Sequence, residues 1–368
     1  MEPEKMLYKT ATHPFRDRWI SYIHQLQDNI CQCLEDIDGH TKFITDEWKR
    51  EGGGGGTTRV IEEGAVFEKG GVNTSVVWGN VTDAMRAQLK IGSNVARSLD
   101  EDFVRAASSR PSSSVPFDPS GTSKGPPRSE PSQGSVPDDE PPVHPSKWFA
   151  AGLSLVIHPL NPYVPTTHAN WRYFELYDEQ GNVTDRWFGG GSDLTPYYLF
   201  EEDAQHFHGT LKNAMDPFGK EKYPQYKRWC DEYFVNKHRS DEMRGIGGVF
   251  YDHLRPADEA GAEELLAFQQ AGGNAFVSAY TPIVLRRKDT PYGAREKEWQ
   301  EIRRGRYVEF NLVHDRGTLF GLRTQGRTES ILMSLPPRAR WVYNYQPHPG
   351  TPEADLLDAC LHPREWTK

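Results

Sequence analysis

The sequence predicts an α+β fold built on a largely antiparallel sheet. Strand-like and helix-like segments are mixed along the 368 residues without the regular βαβ alternation that a parallel sheet requires. Two neighbouring segments, 150–159 and 167–177, alternate with a period of two and are separated only by the turn-forming Asn161-Pro162-Tyr163-Val164-Pro165, as adjacent strands of one sheet would be. Other segments repeat apolar residues at helical spacing. The length allows one large domain or two ordinary ones. A Ser/Pro-rich stretch subtracts from the foldable part, so a single domain over 1–368 is expected.

Trp19, Ile23, Leu26, Ile30 and Leu34 recur at helical spacing, which makes the first segment an amphipathic helix laid on the core. The run Gly52 to Gly56 lacks the Lys-Ser/Thr and the helix of a phosphate-binding P-loop and is read as a flexible loop before the strand-like Arg59-Val60-Ile61. Residues 108–146 are dominated by Ser, Pro, Gly and charge and are read as a disordered insertion, since they cannot bury enough apolar surface to offset their ordering entropy. In 150–159, Gly152, Ser154, Val156 and His158 share one face, with Leu153, Leu155 and Ile157 on the other. In 167–177, His168, Asn170, Arg172 and Phe174 point one way, and Ala169, Trp171, Tyr173 and Glu175 the other. Arg186-Trp187-Phe188 leads into a loop carrying Gly189-Gly190-Gly191 and Asp193. Helices are expected over 200–214, 221–237 and 257–285, the last as one or two pieces. Segments 306–313 and 318–322, joined by His314-Asp315-Arg316-Gly317, suggest a hairpin. A helix over 328–335 stopped by Pro336-Pro337 and a last strand over 341–345 complete the reading.

Composition narrows the function classes. Hydrophobic residues reach 36% and charged ones 26%, as in a globular protein, and 10 Trp and 16 Tyr provide broad packing surfaces. A net charge of -9 argues against nucleic acid or an anionic membrane as partner, and an anionic substrate would need locally placed cations. Cys31, Cys33, Cys230 and Cys360 have no zinc or iron–sulfur spacing and are read as reduced thiols. Met1-Glu2-Pro3-Glu4-Lys5 does not look like a targeting segment, so the cytoplasm is the expected compartment. No apolar run is long enough for a transmembrane segment.

The strand face with His168, Asn170 and Arg172 presents an imidazole, an amide and a fixed cation in one row, and a rigid strand suits a site that must hold its geometry. A solvated sheet face would alternate in the same way. Ser154 and His158 add to the loaded face from the neighbouring strand. Arg244 and Arg327 sit beside glycines that let backbone approach closely, although either could be a surface ion-pair partner. Asp193 could cap a following turn or accept hydrogen bonds from ligand N–H groups. His158, His168, His208 and His238 could converge on a metal, but their spacing gives no ligand pair. Dinucleotide, P-loop, Cys-cluster and Gly-x-Ser-x-Gly motifs are absent from the sequence, so an oxidase must work without such a site.

The strings Gly64-Ala65-Val66-Phe67-Glu68-Lys69, Ser154-Leu155-Val156-Ile157-His158-Pro159, Pro165-Thr166-Thr167-His168-Ala169-Asn170-Trp171-Arg172, Trp187-Phe188-Gly189-Gly190-Gly191-Ser192-Asp193-Leu194-Thr195-Pro196 and Gly317-Thr318-Leu319-Phe320-Gly321-Leu322, followed by Arg327-Thr328-Glu329-Ser330-Ile331-Leu332-Met333-Ser334, run in order along nearly the whole chain. Together they resemble the oxygen-dependent coproporphyrinogen oxidases. The 108–146 insertion departs from that pattern.

The resemblance implies a flat, roughly seven-stranded antiparallel sheet with helices on both faces, in a homodimer joined through about 307–341. It implies substrate contacts from Ser154, Asn170-Trp171-Arg172 and Gln325-Gly326-Arg327, with His168 as proton donor. Asp193 and Arg244 match positions tied to pyrrole and carboxylate recognition, and Gly52 to Gly56 a glycine-rich active-site loop. Arg172, Arg244 and Arg327 would hold propionates of coproporphyrinogen III, and Asp193 the inner pyrrole N–H groups. Dioxygen would be the co-substrate, with no redox cofactor required. A metal on His158, His168, His208 and His238 is described for some bacterial relatives and stays open. So do two other classes, a histidine-metal hydrolase or oxygenase and a tetrapyrrole carrier without activity.

Overall fold

Apolar residues four and three apart place one stripe of the first helix, α1 (Pro14–Asp38), in the core: Trp19, Ile23, Leu26, Ile30 and Leu34 are all buried, as their spacing predicts. The structure is a computed structural model that describes residues 14–83, 85–86, 145–323 and 326–367. The predicted insertion lies outside the described residues over 108–144, and so does Gln325.

Six strands follow as a meander: β1 (Ile44–Lys49), β2 (Gly54–Glu62), β3 (Phe67–Asn80), β4 (Lys147–Pro159), β5 (Thr166–Tyr177) and β6 (Val183–Thr195). Helices α2 (Glu201–Met215) and α3 (Lys222–Tyr233) and a small ribbon of β7 (Val235–Asn236) and β8 (Glu242–Met243) lead to β9 (Gly248–Leu254), which pairs with β6. The result is a seven-stranded sheet in the order β1-β2-β3-β4-β5-β6-β9, antiparallel at every pairing. This is the α+β architecture that the sequence predicts.

Period-two alternation gives the sheet two unlike faces. Leu153, Leu155 and Ile157 of β4 and Ala169, Trp171 and Tyr173 of β5 are buried in the main core with α1 and the long α4 (Glu259–Arg287), a single helix capped by Asp258. The opposite face carries the polar residues. It is overlaid from one end by α5 (Ala294–Glu309), a π-helical turn (Phe310–His314), α6 (Arg316–Arg323) and α7 (Thr328–Leu332), while α8 (Pro352–Leu361) packs through Leu356 and Cys360 into the main core.

Several expectations are corrected. The hairpin over 306–322 is helix: Arg303, Tyr307, Phe310 and Asn311 are buried at helical spacing while Leu312 and Val313 face outward, and Asp315, read as part of the turn, accepts from Thr318 N at 2.7 Å to start α6. The last strand over 341–345 is a turn, because Asn344 has φ 49° and Tyr343 is fully exposed. The glycine run at 52–56 is not a loop. Gly53 and Gly54, at φ +115° and +84°, turn the β1–β2 hairpin, and Gly54 to Gly56 already belong to β2. Gly189 to Asp193, also read as loop, lie inside β6. The helix expected over 221–237 stops at Tyr233.

Candidate active site

The register aligns one residue from every strand across the polar face: Asp46, Thr58, Asn73, Ser154, Asn170, Gly191 and Phe250. The next rows on the same face place His168 between Val156 and Asp193, and Arg172 between Gly152 and Gly189. Glycines keep this floor low. A Cβ at Gly189 would lie 2.7 Å from Arg172 Nε, so the arginine can lie flat on the sheet.

Asp193 is the buried anchor of the face. Arg244 Nη2 donates to both of its oxygens at 2.8 Å, and His168 Nδ1 lies 2.7 Å from Oδ1. Burial pushes this carboxyl up, but the Arg244 guanidinium and then His168 outweigh it and hold Asp193 below the usual carboxylate range. Arg244 is 2% exposed, lies 4.2 Å from the Phe234 ring centroid and 4.7 Å from that of Tyr307, and gives its Nη1 proton to Asn311 Oδ1 at 3.1 Å. Its guanidinium is therefore committed to Asp193. With Nδ1–H donating to Asp193, His168 leaves Nε2 beside the Asn170 amide at 3.4 Å.

Arg172 reaches the rim, with its side chain 38% exposed. Its Nη1 donates to Asn170 Oδ1 at 3.0 Å and its Nη2 pairs with Asp252 of β9 at 2.9 Å. Burial raises the Asp252 carboxyl, but Arg172 and His253 hold it below its usual range. Arg316 at the start of α6 approaches the same carboxylate at 3.8 Å. At the β1 side, half-buried Arg327 pairs with Asp46 and donates to Ser330 Oγ at 3.4 Å. Ser154 and Gly326 are half-buried. Trp171 points to the other face and meets Phe276 of α4 edge-on.

The four histidines do not come together. His158 is buried, bonded to Thr166 Oγ1 and Ser334 O, and His208 is buried between Tyr223 OH and Ile246 O. His238 pairs with His314 and Glu309, while His168 is held by Asp193. Among the described residues no group of three or more His, Cys, Asp or Glu side chains is arranged to hold a metal ion. All four cysteines are free thiols.

Sequence reasoning missed Asp252, Asn73, Thr58 and Asn311. Asp252 was detectable, since Phe250 and Asp252 alternate with the buried Val249 and Tyr251 after Gly247-Gly248. Asn311 was hidden by the mistaken hairpin.

Comparison with known proteins gives a consistent likeness. A family model described as coproporphyrinogen III oxidase matches residues 18–366. The chain is 46% identical over 354 residues to a soybean (Glycine max) protein named oxygen-dependent coproporphyrinogen-III oxidase, chloroplastic, covering 95% of this chain and 79% of the relative. It is 46% identical over 360 residues to coproporphyrinogen-III oxidase 1, chloroplastic, of Arabidopsis thaliana, covering 97% of this chain and 81% of the relative.

Proposed function

The chain belongs to the coproporphyrinogen III oxidase family, and from that premise we propose that it oxidatively decarboxylates two propionates of coproporphyrinogen III with molecular oxygen in haem and porphyrin biosynthesis. Each propionate loses CO2 and two hydrogens to become a vinyl group, and each dioxygen takes up those hydrogens as H2O2. The product is protoporphyrinogen IX.

The observation that carries this reading is the polar sheet face itself: a glycine-floored platform with half-exposed Arg172 and Arg327 on opposite sides of a row of uncharged hydrogen-bonding groups. A flat macrocycle edged with carboxylates suits such a platform. Each charge-assisted bond from an arginine to a propionate contributes about 1.5–3 kcal/mol where water is excluded. Ser154, Asn170, Gln325 and Gly326 supply the neutral contacts, and Trp171 backs them from the core. His168 handles a proton at Nε2, the atom its bond to Asp193 leaves facing the amide row.

The family resemblance implied pyrrole N–H groups for Asp193 and a propionate for Arg244. Because the two side chains satisfy each other, we assign Arg244 to positioning Asp193, and Asp193 to orienting His168. The reaction needs no redox prosthetic group and no metal in this reading, because a deprotonated pyrrole is electron-rich enough to reduce dioxygen directly.

Aerobic incubation of the purified chain with coproporphyrinogen III, following protoporphyrinogen, oxygen uptake and peroxide with and without a stringent chelator, tests the proposal. Turnover with one peroxide per CO2, unaffected by the chelator, is expected. A tetrapyrrole left unaltered in air refutes the activity, and loss of turnover restored by one metal refutes the metal-free chemistry. Binding without oxygen uptake would make the chain a carrier.

We also propose a homodimer through 307–341, supported by exposed Leu312, Val313, Leu322 and Trp341 on this stretch. Sedimentation at the mass of one chain would refute it. No helix among the described residues is long and apolar enough to cross a membrane. The cytoplasm proposed from the sequence stands against relatives named chloroplastic, and cell fractionation against a plastid marker decides between the two.

A further inference from the structure

Two amides flank Ser154 on the polar face, Asn73 on β3 and Asn170 on β5, each in direct register with it. Neighbouring strands are about 4.8 Å apart, so this row of three spans about 10 Å. Asn170 turns its oxygen to Arg172 and its NH2 group to His168 Nε2 at 3.4 Å, which engages one of its two N–H groups and leaves the other for a ligand. Asn73 is oriented in the same sense by a chain of hydrogen bonds from the other arginine.

Arg327 and the Trp48 indole only donate. Arg327 Nη1 donates to Ser330 Oγ at 3.4 Å, and Trp48 Nε1 to Thr58 Oγ1 at 3.1 Å. Ser330 Oγ lies 2.8 Å from Thr58 Oγ1, which donates its own proton to Asn73 Oδ1 at 2.7 Å. The buried Thr58 hydroxyl then uses one proton and both lone pairs, its full capacity. The amide oxygen of Asn73 is thereby pinned, and its NH2 group has no partner among the described residues. The Ser154 hydroxyl has none either, and both residues are half-buried.

We propose that Asn73 is a further substrate-binding residue, whose amide N–H groups join Ser154 and Asn170 in a donor row that receives one propionate carboxylate. This rests on the reading of the face as a tetrapyrrole site. A row of donors needs an acceptor, and the inner N–H groups of a reduced tetrapyrrole are themselves donors. Only the peripheral carboxylates match. The chain from Arg327 through Ser330 and Thr58 sets the polarity of the row, so Arg327 acts on the substrate both directly and through Asn73.

Asn73→Asp tests this, because it keeps the shape and the bond from Thr58 while exchanging two donors for an anion. Binding of coproporphyrin III, the oxidised and unreactive ring with the same propionates, is followed by fluorescence quenching beside steady-state kinetics on coproporphyrinogen III. Both Kd and KM are expected to rise about tenfold or more, with kcat changed far less and the melting temperature retained. Asn73→Ala should weaken binding less, and it carries the test should the aspartate variant fold poorly. Thr58→Val, which frees the amide to rotate, should shift Kd in the same direction. Variants at residue 73 binding within twofold of the unmodified chain overturn the proposal. That outcome is distinct from failure of the parent reading, which shows as an unmodified chain that binds or oxidises no tetrapyrrole.

Discussion

Replacing Arg244 by Met tests the electrostatic centre of the site. Methionine keeps contact with the Phe234, Tyr307 and Phe310 rings but removes the guanidinium that gives 2.8 Å bonds to both oxygens of Asp193. At that distance the gross attraction is about 6 kcal/mol for an effective dielectric of 20. Desolvation of both groups cancels most of it, so the intact pair adds little net stability. Removing one partner is different, because Asp193 is 2% exposed and cannot recover water. Stranding a buried charge costs about 3–5 kcal/mol, and that is the expected loss for Arg244→Met near pH 7.

Urea unfolding at several pH values reads this loss and its sign. In the unmodified chain Asp193 is held below its unfolded value of about 3.9, so its contribution is present above that pH and lost as the pH falls through the lowered folded value. In the variant, burial is opposed only by the bond from His168, so the folded value should move up, and a deficit that shrinks on acidification requires it to pass the unfolded one. The penalty is then full at high pH and fades as the carboxyl takes up a proton, so the deficit against the unmodified chain should be smaller at pH 5 than at pH 8. Adding Asp193→Asn should restore much of the loss, since the stranded charge is gone. A deficit under about 1 kcal/mol, or strict additivity of the two substitutions, would refute the reasoning.

Three further outcomes are expected. Arg172→Ala should raise KM and slow turnover together, and Asp252→Asn should do the same more weakly by releasing the anchored guanidinium; unchanged kinetics in Arg172→Ala would remove it from the site. Burial, and secondarily Lys227, pushes the His208 imidazole down to about 3, so between pH 6.5 and that value the unfolded chain binds the extra proton and stability falls on acidification by up to about 1.4 kcal/mol per pH unit; denaturation curves of His208→Gln should show a shallower pH slope. Glu309 accepts from His238, Arg239, Arg306 and the Trp341 indole, and against the upward push of burial Arg239, His238 and Arg306 hold its carboxyl at about 2, so Glu309→Gln should cost about 1–3 kcal/mol in the same assay.

The sheet was legible wherever burial is one-sided. Leu153 and Leu155 against Gly152 and Ser154, and Trp171 and Tyr173 against Asn170 and Arg172, announce both strands and which face holds the chemistry. Legibility failed where a local signal had two meanings. Glycines at 189–191 read as loop, yet they are the strand positions where the site needs a low floor. Val308, Leu312 and Val313 read as strand, yet the helical run of Arg303, Tyr307 and Phe310 decides the backbone. Asn73 could not be found from spacing, because its value comes from register with Ser154 and from a hydrogen-bond chain starting more than two hundred residues later.

Burial, not residue type, sorts the arginines of the site. Arg172 and Arg327 each share a carboxylate with the rim, Asp252 and Asp46, and both side chains remain about one-third exposed, at 38% and 30%. The Arg327–Asp46 pair, with Asp46 48% exposed, contributes about 1 kcal/mol or less, and Asp252, although only 12% exposed, keeps His253 and Arg316 beside it, so an incoming propionate can take over either guanidinium at a smaller cost than it could Arg244. Arg244 has no such freedom. Turning towards a ligand would leave Asp193 as an unpaired buried anion, at a cost comparable to everything one new charge-assisted bond returns. A sheet that places all three cations on one face therefore still divides their work: two are free to exchange partners with a polyacid, and the third holds fixed the carboxylate that orients His168.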